Sequence, residues 1–360
     1  MQRSRALYVC SHLPSDVATQ AGHKIAQENL RSLEQEYQVD CVLILRKGGT
    51  SPTISTADGR AAVIQLTKIQ WLMGIGMGAL SGIAPRLATR ISLQASGLLG
   101  DLLRKSSYAL IWFEFSQVFW LAPLAAKQKT DGARIVLSVH DVQGELVQRK
   151  SRIERMLFLG WTRRSEKRLL QSADSIRVLS DKDRTLVLAY VPDTSICVVP
   201  PKISAFTRQV ARKQESIQAH SLLFWGAMNR PENHQAAIKF VQSSMPKLLQ
   251  EFPDAVLFVI GANPPRRLLE LASQHVVITG FVEDPTPYFE RASLGIVPLL
   301  QGAGVKIKTL EMLSTGLTVV STAIGAEGIA PTARLRVVPL EEMTSEITRQ
   351  WTSSAQKLPD

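Results

Sequence analysis

Residues 301–321, QGAGVKIKTLEMLSTGLTVVS, change character three times. A small-residue loop (Gly302, Ala303, Gly304) leads into a short helix, the helix stops at Gly316, and a buried strand runs from Leu317 to Ser321. Ile307, Leu310 and Leu313 or Ser314 recur at helical spacing and give the helix one apolar face. At about 100° per residue, Gly304, Lys308 and Glu311 fall together on the flank beside it. A loop feeding a helix N-terminus offers backbone N–H groups and the positive end of a dipole. With Lys306 and Lys308 close by, that suits a phosphate or diphosphate. A carboxylate one turn further on can only accept hydrogen bonds, which suits ribose or sugar hydroxyls. The same pattern also fits an ordinary loop–helix–strand unit with solvated lysines.

Outward from this stretch, strands alternate with helices along the whole chain. Ala6–Cys10, Val39–Leu45, Ala61–Leu66, Tyr108–Phe113, Arg134–Val139, Ser175–Leu179 and Ile196–Val199 read as strands of a first sheet. The run at 39–45, apolar but for Asp40, is what a parallel strand covered on both faces requires. A polar segment, 204–219, then separates a second series: Ser221–Trp225, Ala255–Ile260, Val276–Thr279, Leu294–Pro298, Leu317–Ser321 and Arg336–Val338. The clearest helices are His23–Tyr37, Asn233–Phe252 and a final amphipathic one, Glu341–Trp351. Two α/β, doubly wound Rossmann-like domains follow, 1–203 and 204–340, facing across a cleft. Residues 341–360 form a C-terminal helix and tail, expected to pack back on the first domain. In such sheets ligands lie at the carboxyl ends of strands.

Composition bounds the rest. At 360 residues the chain is long enough for two cores, and 45% apolar with 20% charged residues indicates a globular protein. A net charge of +11 suits acidic small molecules, an anionic membrane face or nucleic acid. Cys10, Cys41 and Cys197 are far apart and read as buried thiols of a reducing compartment. The basic start precedes an apolar run too short for a signal peptide, so a cytoplasmic location is expected. No Gly-x-Gly-x-x-Gly follows the first strand; no Walker loop, His/Cys metal cluster, nucleophile elbow or DxD metal site is present. Asp181 and Asp183 read as a helix start.

Four blocks in the second half resemble the group 1 (family 4) glycosyltransferases of the GT-B fold: LLFWGAMNRPENHQAAIKF (222–240), FPDAVLFVIGANPP (252–265), VVITGFVEDPTPYFERASLGIVPL (276–299) and GAGVKIKTLEMLSTGLTVVSTAIGAEGI (302–329). The first half is similar more loosely, in HLPSDVATQAGHKIAQENLRSL (12–33), LSVHDVQGE (137–145), SDKDR (180–184) and VVPP (198–201). The resemblance implies transfer of a sugar from a nucleotide-diphosphate-sugar donor with retention of configuration. The donor would be held mainly by the second domain and a glycan, lipid-linked or small-molecule acceptor mainly by the first. No obligatory metal or other cofactor is implied. Position by position, it makes Glu311 the ribose-binding glutamate, and Gly304 to Lys308, including Val305, the diphosphate loop and helix start, with Gly302 and Ala303 leading into it on the donor side. Phe281, Val282 and Glu283 would bracket the base, Gly22 the donor phosphates, and His140 would line the catalytic cleft. Two departures stand out. Ala303 replaces the first glutamate of the family's Glu-x7-Glu motif, and the family's Arg…Lys pair is absent, with Ala227, Glu232 and nearby Arg230 in that region. A GT-B protein that binds nucleotide sugars, or scaffolds, without transferring them is the alternative.

Metal-free departure of a nucleoside diphosphate asks for preorganised positive charge, from Lys306, Lys308 and, more weakly, Arg230. Asp141 reads as the cap of the helix after His140, and Glu114 as an acceptor contact. Residues 71–83, WLMGIGMGALSGI, are apolar for 13 residues, too short to span a bilayer core of about 30 Å. They precede a basic cluster, Arg149 to Arg168. The pair reads either as a core helix and a solvated basic helix, or as a surface for anionic lipid. No nucleic-acid-binding motif accompanies the charge.

Overall fold

The computed structural model describes residues 3–15, 21–48, 59–302 and 304–355. Ala303, residues 16–20 of the N-terminal glycine loop and the tail 356–360 lie outside the described residues. The chain divides into two compact units, 1–200 and 201–360.

In the first unit the strands are Arg5–Cys10 (β1), Gln38–Arg46 (β2), Ala61–Leu66 (β3), Leu110–Glu114 (β4), Arg134–Val139 (β5), Ser175–Val178 (β6) and Ser195–Val198 (β7). All pair in parallel, in the order β3-β2-β1-β4-β5-β6-β7. Its helices are Ala21–Glu36 (α1), Lys68–Leu80 (α2), Pro85–Ala88 (α3), Leu93–Lys105 (α4), Ala122–Gln128 (α5), Gln143–Gln148 (α6), Arg152–Leu170 (α7) and Asp181–Leu188 (α8). The central strands are mostly apolar because both faces are covered. Leu7 and Val9 of β1 enter one core with the α4 and α5 side chains, while Ala6, Tyr8 and Cys10 enter another beneath α1.

The second unit repeats the plan with Ser221–Trp225 (β8), Val256–Ile260 (β9), Val276–Gly280 (β10), Leu294–Val297 (β11), Thr318–Ser321 (β12) and Leu335–Val337 (β13). They pair in parallel, in the order β10-β9-β8-β11-β12-β13. Its helices are Pro231–Ser243 (α9), Met245–Glu251 (α10), Arg266–Leu269 (α11), Thr286–Arg291 (α12), Ile307–Ser314 (α13) and Met343–Ala355 (α14). In both sheets the strand order reverses beside the first strand. The crevices beyond β1/β4 and β8/β11 are therefore where ligands are expected.

Several details differ from the sequence reading. The helix read as Asn233–Phe252 is two, α9 and α10, broken at Ser244 because Pro246 has no N–H to continue the ladder. The final helix buries Met343, Ile347 and Trp351 in the second unit's own core. Cys10 and Cys41 are buried, but Cys197 is exposed. The apolar segment beginning at Trp71 is not a core helix: Leu72, Met73 and Leu80 of α2 face outward.

Candidate functional site

In the second unit the loops after β8 and β9 touch backbone to backbone. A Cβ at Gly261 would lie 1.8 Å from the Gly226 carbonyl oxygen, and both glycines have φ near +150°. That leaves a shallow bed at the end of β8, and Lys308 from α13 lies across it. A Cβ at Gly226 would sit 2.9 Å from Lys308 Nζ, so any larger residue there would push the ammonium aside, and its φ of 147° favours glycine as well. Nζ donates to Asn233 Oδ1 of α9 and lies 5.4 Å from the centre of the Phe224 ring. No carboxylate among the described residues is within ion-pair distance of it. Burial first, then the charges of Arg230 and Lys306, push its pKa down to about 7, against the opposing pull of Glu232 and Glu311. A lysine in that condition lacks an anion.

The remaining candidates of this unit divide into those free for a ligand and those already engaged. Lys306 is buried, donates to the Gly304 carbonyl at 2.6 Å and pairs with Glu327 at 3.6 Å. It fastens its own loop, with Thr309 Oγ1 donating to the Gly325 carbonyl as a second tie. Gly302 and Gly304 have φ of 120° and 72°, which explains the glycines of that loop; Val305 is half-buried between them and the helix. Glu311 is only 5% exposed. Its Oε1 accepts from the Ser204 N–H at 3.1 Å and from the Ser204 hydroxyl, and its Oε2 accepts from Trp225 Nε1 at 2.7 Å. Instead of standing open to a ribose, it clamps α13 to β8 and to the segment entering the unit. Arg230, just before α9, is half-exposed and paired with Glu232. Beyond β10, Gly280 turns the chain at φ 71° and presents Phe281, 77% exposed, followed by half-buried Val282 and exposed Glu283.

The first unit has its own cluster at the switch point of its sheet. Gly22 opens α1 against Phe115 and His140, whose Cε1 and Nδ1 would lie 3.1 and 3.6 Å from an added Cβ. Phe115, at φ 72°, stacks on His140 with ring centres 4.0 Å apart, and His12 packs against Phe115 at a tilt of 59° with ring centres 4.5 Å apart. Burial, then His23, Arg90 and His140, lower the His12 pKa to about 3, so that ring stays neutral. His140 Nε2 is bonded to Glu114, which is fully buried and so is no acceptor contact. Glu114 also accepts from Ser138 at 2.7 Å, Trp112 Nε1 at 2.6 Å and Asn29 at 3.0 Å. Burial raises its pKa, but the bond and charge of His140, with Ser138 and Asn29, outweigh this and hold it below the usual range. With Nε2 bound to a carboxylate, Nδ1 is the nitrogen left on the Gly22 side. Asp141 does not cap α6. Glu166, reaching from α7, takes the N–H groups of Gln143 at 2.7 Å and Gly144 at 3.0 Å. Asn233, Trp225, Ser204, Glu327 and Glu166 all escaped the sequence reading, since each acts through a partner far away in the chain.

Among the described residues no group of three or more His, Cys, Asp or Glu side chains is placed to hold a metal. No helix among the described residues is long and apolar enough to cross a membrane.

With this geometry in place, comparison with known proteins is informative. The family model "Glycosyl transferases group 1" matches residues 219–351, and "Glycosyl transferase 4-like domain" matches 26–202. A curated relative from Klebsiella pneumoniae, an uncharacterized protein of the cps region, is 29% identical over 128 residues. The match covers 32% of this chain and spans 33% of that relative's length. Among solved structures, a Rickettsia africae glycosyltransferase aligns at TM-score 0.63 and 14% identity, covering 98% of this chain and 89% of the other. Anabaena HepE in complex with UDP and glucose aligns at 0.58 and 13% identity, covering 98% and 91%. The UDP-forming α,α-trehalose-phosphate synthase of Burkholderia xenovorans aligns at 0.62 and 12%, covering 100% and 92%. At these identities the likeness establishes the GT-B fold. Both units carry a family match, and on that ground the chain belongs to the group 1 glycosyltransferases.

Proposed function

We propose that this chain transfers a sugar from a nucleoside-diphosphate sugar to a glycan, lipid-linked or small-molecule acceptor, with retention of anomeric configuration. The observation that carries the reading is Lys308, a lysine with no carboxylate partner among the described residues, at the switch point of the second sheet and one residue inside a helix N-terminus. As the bond from the anomeric carbon to the diphosphate breaks, negative charge builds on the leaving oxygen. The Lys308 ammonium and the positive end of the α13 dipole stabilise it there. Asn233 holds that ammonium, while Lys306 and Glu311 fix the loop and helix that carry it rather than touching substrate. A uridine nucleotide, as bound in the solved complex of a protein of similar fold, is the first donor to consider, and Phe281 to Glu283 are the residues the family resemblance assigns to the base. In the first unit, His140 Nδ1, fixed by Glu114, is available to the acceptor or transferred sugar.

The test has two stages. Thermal stabilisation by a panel of nucleoside diphosphates identifies the base, and nucleotide release from the matching donors reads turnover. Stabilisation by none of them overturns the reading. Donor binding with no release in the presence of glycan and lipid-linked acceptors favours a non-transferring donor-binding protein, the alternative that Ala303 motivates.

A further inference from the structure

We propose that the first unit docks on an anionic phospholipid surface through α2 and the N-terminal half of α7. Helix α2 is turned inside out by the standards of a helix in water. Its buried positions are Gly74 and Gly78, which close on Ala88 and Ile91 so tightly that a Cβ at either would clash. Its bulky residues point away: Ile69, Leu72, Met73 and Leu80 are 52–92% exposed. Helix α7 does the same over its first turns, where Ile153, Met156 and Leu157, at i, i+3 and i+4, are 58–78% exposed. The end of α2 is tied to α7: Trp161 Nε1 and Ser165 Oγ donate to the Gly82 carbonyl at 3.1 Å, and Arg168 donates to the Ser81 carbonyl at 2.9 Å. The two helices that carry the apolar faces are therefore fastened to each other within one unit.

The charge around these helices selects the occupant. Residues 149–168 carry eight Lys or Arg against two Glu, and one of those, Glu166, is buried. Lys150, Arg152, Arg155, Arg164 and Lys167 are exposed, with no ion-pair partner among the described residues. A second copy of the chain would bring an equally basic patch against this one in an isologous contact, and the two would repel. An anionic bilayer accepts the apolar side chains and the cations at once. Beside α7 a cavity of about 160 Å³ is walled by Pro85, Val147 and Phe158, with Arg86 and Lys150 as cations and Glu154 as the acid. Glu154 is engaged by the Ser151 hydroxyl at 2.9 Å, while Thr162, also lining it, has a buried hydroxyl with no partner among the described residues. That combination suits the phosphate of one lipid headgroup.

The experiment uses the full chain with vesicles of phosphatidylcholine alone or mixed with phosphatidylglycerol. Cosedimentation is expected with the mixed vesicles only, and added salt should weaken it. Leu72→Glu/Met73→Glu and Met156→Glu/Leu157→Glu should each cut partition about tenfold or more at an unchanged melting temperature, since all four side chains are already in water. Arg86→Ala/Lys150→Ala should reduce the preference for phosphatidylglycerol, and inorganic phosphate at matched ionic strength should not displace the protein. Equal partition with both vesicle types, none with either, or no effect of the glutamate pairs would overturn the proposal. So would displacement by phosphate, or a dimer in solution that the glutamate pairs dissociate.

Discussion

Of the side chains at the strand ends, Lys308 and Glu311 differ in what they leave unsatisfied, and that difference predicts different phenotypes. Lys308 donates to Asn233, and no carboxylate among the described residues comes within ion-pair distance to offset its desolvation. Only its protonated form attracts a diphosphate. With a free-state pKa of about 7, donor binding above that pH must take up a proton. Affinity should therefore hold below about pH 7 and fall by up to about tenfold per pH unit above it. Calorimetric titration of the nucleoside diphosphate across that range checks this. Lys308→Arg should flatten the profile because a guanidinium stays charged, and Lys308→Ala should lower turnover about 10²-fold. Glu311 has three donors on two oxygens, so a glutamine there must set its NH₂ against Trp225 Nε1–H or the Ser204 donors. Glu311→Gln should cost the free protein about 1–3 kcal/mol by denaturant titration. Unchanged stability with donor affinity lowered about 10- to 100-fold would return Glu311 to the ribose. The helical spacing placed Glu311 and Lys308 on one flank, but periodicity cannot see that Ser204, 107 residues away, occupies the carboxylate.

At the scale of elements, every strand of both sheets was legible, because buried parallel strands write themselves as short apolar runs between turn signals. Caps and clamps were not. Asp141 sits where a cap belongs by position, yet Glu166, 23 residues away from Gln143, holds the start of α6. Burial, only partly opposed by the bonds from Gln143 and Gly144, raises the Glu166 pKa to about 7. The sign follows from proton counts. Between its unfolded value near 4.5 and about 7, the folded protein holds this proton and the unfolded chain does not. Stability is thus fully present below about pH 4.5 and lost as pH rises through about 7, by roughly 3 kcal/mol. Melting curves of wild type and Glu166→Gln should diverge over that window, with the wild type losing ground as pH rises. Parallel curves would mean that Glu166 is already ionised when folded.

For the whole molecule, the decisive fact is that the two units keep separate cores. Leu222 to Trp351 contribute to one cluster, and the first unit's strands and helices to two others. Chains of this kind need not unfold in a single step. Lys308, the Gly302 to Lys308 loop, Asn233 and Phe281 all belong to residues 201–360, so a nucleoside diphosphate without its sugar should stabilise that unit. At a concentration about 100 times its Kd, the added stability is about 2.7 kcal/mol. Differential scanning calorimetry of the full chain should show two transitions, only one of which moves when the nucleotide is added. Which one is checked by Lys308→Ala, which should abolish the shift, and by Glu166→Gln, whose pH effect should appear in the other transition. A nucleotide that raised both transitions equally would show that donor binding is not confined to the second unit. One that raised only the transition sensitive to Glu166 would move the diphosphate to the His140 cluster and leave Lys308 without its anion.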